Sequence, residues 1–458
     1  MRIKVFPLLI VFTLLFLPLH SVLAASAMDV ANDTATLDFP NTITFSASLQ
    51  SSAAITAVTL EYGTAQQTCG EVVAKAFPQF TPAGSVNVEW TWDMRQSGSL
   101  PPGATIWWRW HFTDEAGNES MSEQKTVTWL DSVHPWQTIS QGNLRVHWYS
   151  LDQAFAQDML AAGVGGLEFN ANQSGLKTEV PIDLYVYPDY EDMRDAILYE
   201  PSWTGGMAFA EHDIVIMGTS SGADTNWDRS TVVHELTHVL VGHLTFSCLG
   251  DVPTWLNEGL AVYSEGELDP TSAAQLEDAI QNDTLLTVRS LSVGFSEVAD
   301  KASLSYSQSY SIVKFLIETY SQGKMTELLT TLRDGTSVDD ALIAVYGFDV
   351  DGLEDAWRAA IGAELRPVSA QPTAQPTPTF VPTFVPVSGA PLAVTPTPYA
   401  IPTSSLDGTP TTPTIFPSGP PVSLTIILLC FCCVFGILIG VIVLGVVLAQ
   451  RRKGGRNG

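Results

Sequence analysis

Residues 230–244 are largely apolar, contain no proline, and carry His234-Glu-Leu-Thr-His238. That stretch should be helical. On a helix, two histidines four residues apart stand one turn apart on one face, close enough for both imidazoles to reach one tetrahedral Zn²⁺. Glu235 projects beside them, where a carboxylate can take a proton from a metal-bound water. At this composition the pattern of two His and one Glu arises by chance in roughly 1% of chains of this length. A helix whose histidines merely pack is therefore the weaker reading.

His243 follows His234 by nine residues, about 900° around the helix, and so falls on the opposite face. It is expected to be an ordinary, partly buried or surface histidine. Downstream comes Pro253-Thr-Trp-Leu-Asn-Glu-Gly-Leu-Ala-Val-Tyr263. Glu258 lies 20 residues past His238, room for a loop and the start of a second helix packed across the first. Gly259 and Ala261 are small where such helices would cross.

Taken with the His-Glu-x-x-His run, the segment Trp-Leu-Asn-Glu-Gly-Leu-Ala resembles the gluzincin metallopeptidases. It is most similar to the bacterial peptidase MA-like domain and more distantly to the zinc aminopeptidases. The resemblance covers roughly residues 140–366 and implies a thermolysin-like α+β domain with one Zn²⁺ per chain. It makes Glu258 the third metal ligand beside His234 and His238 and leaves the fourth position to water. Tyr306-Ser-Gln-Ser-Tyr310 is similar to the aminopeptidases' Tyr-x-Lys-Gly-Ala helix, which implies Tyr306 as donor to the tetrahedral oxyanion, with Tyr310 one turn on as the alternative. Gly205-Gly-Met-Ala-Phe-Ala210 stands where the aminopeptidases place Gly-Ala-Met-Glu-Asn, on an edge strand that pairs with substrate. The Glu that grips a free α-amine there is Ala208 or Phe209 in this chain, and Glu211 is displaced. Aminopeptidase activity is thereby put in doubt. Glu265, seven residues after Glu258 on the same helical face, is a candidate to orient a histidine ligand.

Ahead of the motif, residues 144–149, 182–187 and 214–217 read as strands and 152–167 as a helix. After residue 231 the chain is mainly helical up to 366, an α+β order assigned to residues 138–366. Residues 27–135 read as an all-β, immunoglobulin-like or fibronectin-like sandwich, with strand-forming runs at 43–49, 57–62, 85–92, 105–112 and 124–129 between Gly, Pro, Ser and Asn clusters. Asp114-Glu-Ala-Gly-Asn118 resembles the closing hairpin of bacterial surface sandwich domains. Alternation puts Trp108 and Trp110 on one face, where core packing is favoured over a sugar-binding platform shared with Trp107. Cys69 and Cys248 fall in different regions; a disulfide and two buried thiols are both open.

The two ends behave differently. Residues 1–24 carry Arg2 and Lys4, then an apolar run and Val22-Leu-Ala24, the pattern of an export signal. Residues 367–422 hold 15 of the 28 prolines and one charge, Asp407, and read as an extended stalk. Residues 423–449 are uncharged and long enough to span a bilayer, with Arg451-Arg-Lys453 next in a basic tail at 450–458. Gly436 and Gly440 have a spacing that lets two such helices approach, a weak route to a homodimer.

No Asp or Glu lies in residues 1–24 or 423–458, so the formal charge of −27 becomes −33 for the part between, with 48 acidic and 15 basic groups. Such a surface repels phosphate backbones, which argues against nucleic-acid binding. The expectation is a multidomain, single-pass cell-membrane protein. Its outward-facing ectodomain would be a zinc metallopeptidase acting on peptides or proteins, with Glu235 as general base and Tyr306 as oxyanion donor. A catalytically inactive adhesion protein built on the same scaffold is the alternative from another class.

Overall fold

The computed structural model describes residues 28–97, 100–198, 205–220, 225–296 and 299–366. The residues read as export signal, stalk, membrane span and basic tail, and the expected Gly436/Gly440 contact, lie outside the described residues. Among the described residues no helix is long and apolar enough to cross a membrane.

The N-terminal part is β-rich. Its strands are β1 (Asp29–Asp38), β2 (Thr42–Thr64), β3 (Ala74–Ala76), β4 (Ala83–Asp93), β5 (Thr105–Asp114), β6 (Glu119–Met121) and β7 (Lys125–Thr128), with a single helical turn α1 (Met94–Ser97). The runs expected as separate strands at 43–49 and 57–62 are one strand, β2, of 23 residues. Its first half pairs with β1 and β4 and its second half with β3 and β5, with register shifts between Gln50 and Ala57. No Gly or Pro interrupts 51–56, so the chain bends there without leaving the ladder. Hydrogen bonding therefore joins all seven strands into one sheet. Its two halves still face each other: the Phe45 ring from the first half lies 5.5 Å from Trp108 of the second. Trp108 and Trp110 are buried, as alternation requires, and both indole N–H groups donate to Asp33 Oδ1, at 2.7 and 3.0 Å.

The second sheet holds β8 (Gln137–Gln141), β9 (Leu144–Trp148), β10 (Ile182–Tyr187), β11 (Gly206–Phe209) and β12 (Ile214–Gly218) in the order β11-β12-β10-β9-β8. β9, β10 and β12 are parallel, and β11 is an antiparallel edge. Around it lie α2 (Gln153–Gln173), α3 (Tyr190–Asp195), α4 (Thr225–Thr245), α5 (Thr254–Glu265), α6 (Pro270–Gln281), α7 (Ala299–Tyr320), α8 (Gln322–Arg333), α9 (Val338–Tyr346) and α10 (Val350–Ile361). The expected strands and the helix beginning near 152 are all present.

Alternation along the parallel strands gives each face a separate neighbour. Leu184, Val186, Val215 and Met217 enter the helical core with Val232, Leu236 and Leu240 of α4. Tyr185, Tyr187, Ile214 and Ile216 instead join the core of the N-terminal sheet with Phe45, Trp108 and Trp110. Where the two parts meet, Gly103 has φ +93°, and a Cβ there would come within 2.4 Å of the Tyr185 ring. A Cys69–Cys248 disulfide, Cα–Cα 5.6 Å, ties the β2–β3 connection to the loop between α4 and α5. The half-open question of these thiols thus resolves as a bridge.

Candidate metal centre

α4 starts against the sheet: Asp228, buried in its first turn, accepts from the backbone N–H of Ser220 at 3.0 Å. One face of the helix, Val232, Leu236, Val239 and Leu240, is sealed in the core. The neighbouring face carries His234, Glu235 and His238. α5 brings Glu258 to them because Gly259 lets α5 cross α7 closely; a Cβ at 259 would stand 2.4 Å from the Ser309 carbonyl oxygen.

The three side chains converge. Glu258 Oε2 lies 3.4 Å from His234 Nε2 and 3.4 Å from His238 Nε2. With ligand bonds of ~2.0–2.1 Å, two atoms of a tetrahedral zinc shell stand about 3.3–3.4 Å apart. Glu258 Oε2, between the two imidazoles, is buried with no hydrogen-bond partner. Burial by itself raises the Glu258 carboxyl, but the two imidazoles outweigh it and hold the group well below the usual carboxylate range. Burial opposes charge on His234 and His238 as well, yet Glu258 beside both and Glu265 beside the first raise them above the ordinary imidazole value. Side-chain exposures of 15–19% leave the site open on one side.

The outer nitrogens are committed elsewhere. His234 Nδ1 donates to Glu265 Oε1 at 2.7 Å, and His238 Nδ1 donates to Asn257 Oδ1 at 3.0 Å. An acceptor at Nδ1 fixes the proton there and turns the Nε2 lone pair inward. Glu265 takes the place read for it in the sequence. Asn257 was not singled out; its signal was its position immediately before Glu258, since the helix that delivers the carboxylate delivers this amide to the second histidine.

Glu235 lies recessed beside the ligands, and burial raises its carboxyl above the usual range. β11 runs directly past it: a Cβ on Gly206 would lie 3.0 Å from Glu235 Cγ and 2.9 Å from Thr231 Cγ2. The Tyr306 ring stands 6.3 Å from that of His234, with Phe295 packed edge-on to it at 5.1 Å. Burial pushes the Tyr306 hydroxyl well up, with the carboxylates of Glu258 and Glu235 adding to it, so the phenol stays protonated. Tyr310 is engaged elsewhere, its hydroxyl 3.0 Å from Glu267 Oε2 and 3.2 Å from Lys314 Nζ. His243 faces away, as the helical angle requires, with Nε2 2.5 Å from Asp213 Oδ1 and Nδ1 2.9 Å from Thr178 Oγ1. Glu211 lines a separate cleft of about 630 Å³ with Asp213 and His243.

Residues 163–363 match the family model described as Peptidase MA superfamily. This segment is similar to the Peptidase MA superfamily over those residues. Among solved structures, aminopeptidase A from Legionella pneumophila, in complex with aspartic acid, is similar at 11% identity and TM-score 0.31, over 74% of this chain and 50% of that one. An M1 zinc metallopeptidase from Deinococcus radiodurans is similar at 12% identity and TM-score 0.28, over 74% of this chain and 93% of that one. A search of curated proteins finds no match. The matched segment contains all three converging side chains, Glu235 and Tyr306.

Proposed function

We propose that the protein is a zinc-dependent metallopeptidase that hydrolyses peptide bonds in peptides or proteins. The convergence of His234 Nε2, His238 Nε2 and Glu258 Oε2 beside Glu235 carries this reading. Two imidazole nitrogens and one carboxylate oxygen, with an open fourth side, are the donor set of a catalytic rather than a structural zinc site. Bound there, the ion would acidify a water and polarise the scissile carbonyl.

The chain's own residues do the remaining work. Glu235, its proton affinity raised by burial, takes the proton of the attacking water and returns it to the departing amine. Tyr306 donates its hydroxyl proton in a hydrogen bond to the oxygen on which charge develops. Glu265 and Asn257 keep the two imidazoles turned inward. The edge strand β11 offers backbone pairing to an extended substrate. No carboxylate from β11 joins the metal group, which supports cleavage without recognition of a free α-amine.

The sequence signals at both ends support display of this domain outside the cell on a stalk and a single membrane span. The Cys69–Cys248 bridge favours the same oxidising location. Zinc content and cleavage of a mixed peptide library test the proposal together. Wild-type protein should hold one zinc and cut, whereas Glu235→Gln should keep the zinc and lose turnover by about 10²–10⁴-fold. Appreciable cleavage by Glu235→Gln would remove Glu235 from the mechanism.

A further inference from the structure

Trp227 is 56% exposed in the first turn of α4. It precedes His234 by seven residues, about 700° of helix, which returns it to within about 20° of the same line. Trp227, Thr231, His234 and His238 thus form one stripe, with the indole about 10.5 Å along the axis from the first ligand. Exposed apolar side chains are common and by themselves mean little. This one is distinguished by a second relation, to the edge strand. Gly206, at the start of β11, packs against Thr231 and Glu235, while Ala210, just after its end, packs against Gly242. The strand therefore runs along α4 in the helix direction, and Trp227 lies beyond its Gly206 end.

An extended peptide advances ~3.3 Å per residue, so about three residues separate a carbonyl held at the metal ligands from a side chain over the indole. We propose that Trp227 is a specificity-determining residue that selects an aromatic or large apolar side chain about three positions from the cleaved bond, on the side of Gly206. The inference rests on the peptidase reading. Its physical basis is ring-on-ring or ring-on-alkyl contact, which favours a matching side chain over alanine.

The test uses full-length protein and fluorescent decapeptides of Gly, Ala and Ser in which one Phe is moved through successive positions. Each is measured for cleavage by wild-type protein and for binding, by anisotropy, to the Glu235→Gln form. The Phe-to-Ala preference should peak two to four residues to one side of the cut and fall about five- to tenfold in Trp227→Ala, mostly through KM. Trp227→Phe should restore most of it. A preference unchanged by Trp227→Ala, no positional preference at all, or an equal loss at every Phe position overturns the proposal. Positional binding that depends on Trp227 without any turnover would sustain the recognition role and sink the peptidase reading. Absence of both binding and turnover sinks both.

Discussion

On one face of α4, His234 and His238 each give Nδ1 to a protein acceptor and keep Nε2 for the point they share with Glu258. Half a turn away, His243 has both ring nitrogens engaged, one by Asp213 and one by Thr178. Residue type and helix are the same. What separates a ligand from a packing histidine is whether the fold leaves one nitrogen lone pair facing a place where other donors converge. At His243 the imidazole already has an acceptor and a donor, so nothing is left to offer an ion.

Zinc content gives the largest contrast between the two faces. His238→Ala should fall from one zinc per chain to none under dialysis against excess apo-chelator buffer, with turnover lost. His243→Ala should keep its zinc. Metal analysis of the two purified variants decides it; equal loss in both would mean that the faces are not distinct.

Next is the bridge at the end of the His243 face. Cys69 and Cys248 are 179 residues apart and join the N-terminal sheet to the loop that leads from α4 to α5. Replacing both by Ser should cost about 2–5 kcal/mol of stability, seen as a lower Tm. Zinc affinity of the protein that remains folded should hold, because His234, His238 and Glu258 are positioned by α4, α5 and α7. A fall in zinc affinity at temperatures well below the new Tm would show that the bridge also sets the metal face.

The sequence exposed these two faces unequally. The i, i+4 spacing and the 900° offset of His243 are properties of any α-helix and could be read without a partner in view. The strands β9, β10 and β12 were also legible, β10 and β12 as short apolar runs between turns, whereas the largely polar β8 gave no such signal. Such runs show that both faces are buried but not what buries them, so the core shared by Tyr185, Tyr187 and the N-terminal sheet was invisible. β2 was read as two strands for a related reason: a bend without Gly or Pro is set by which strands pair on each side, a long-range property. Asn257 was missed because its role depends on the crossing of α5 over α4, and the pairing of Cys69 with Cys248 depends on docking across 179 residues.

A smaller effect probes how firmly the metal face is held. Glu265→Ala removes the acceptor from His234 Nδ1 and frees the ring to turn or change tautomer. Zinc affinity should fall about 10–100-fold, with Glu265→Gln closer to wild type because its amide oxygen can still accept. Competition against a chelator of known affinity measures it. No change in Glu265→Ala would mean that packing alone orients His234.

The smallest effect belongs to the other face and separates charge from backbone shape. Asp213 both accepts from His243 Nε2 and holds a left-handed backbone at φ 60° between β11 and β12. Asn keeps an acceptor oxygen and tolerates that backbone, so Asp213→Asn should cost no more than about 1 kcal/mol. Ala loses the acceptor and strains the turn, so Asp213→Ala should cost about 2 kcal/mol. Denaturant midpoints report both costs, and zinc titration should be unaffected in either variant. The turn adjoins β11, and β11 touches Glu235 through Gly206. If Asp213→Ala slows cleavage while Asp213→Asn does not, the His243 face helps to place the edge strand, and the two faces of α4 are coupled through β11 rather than independent.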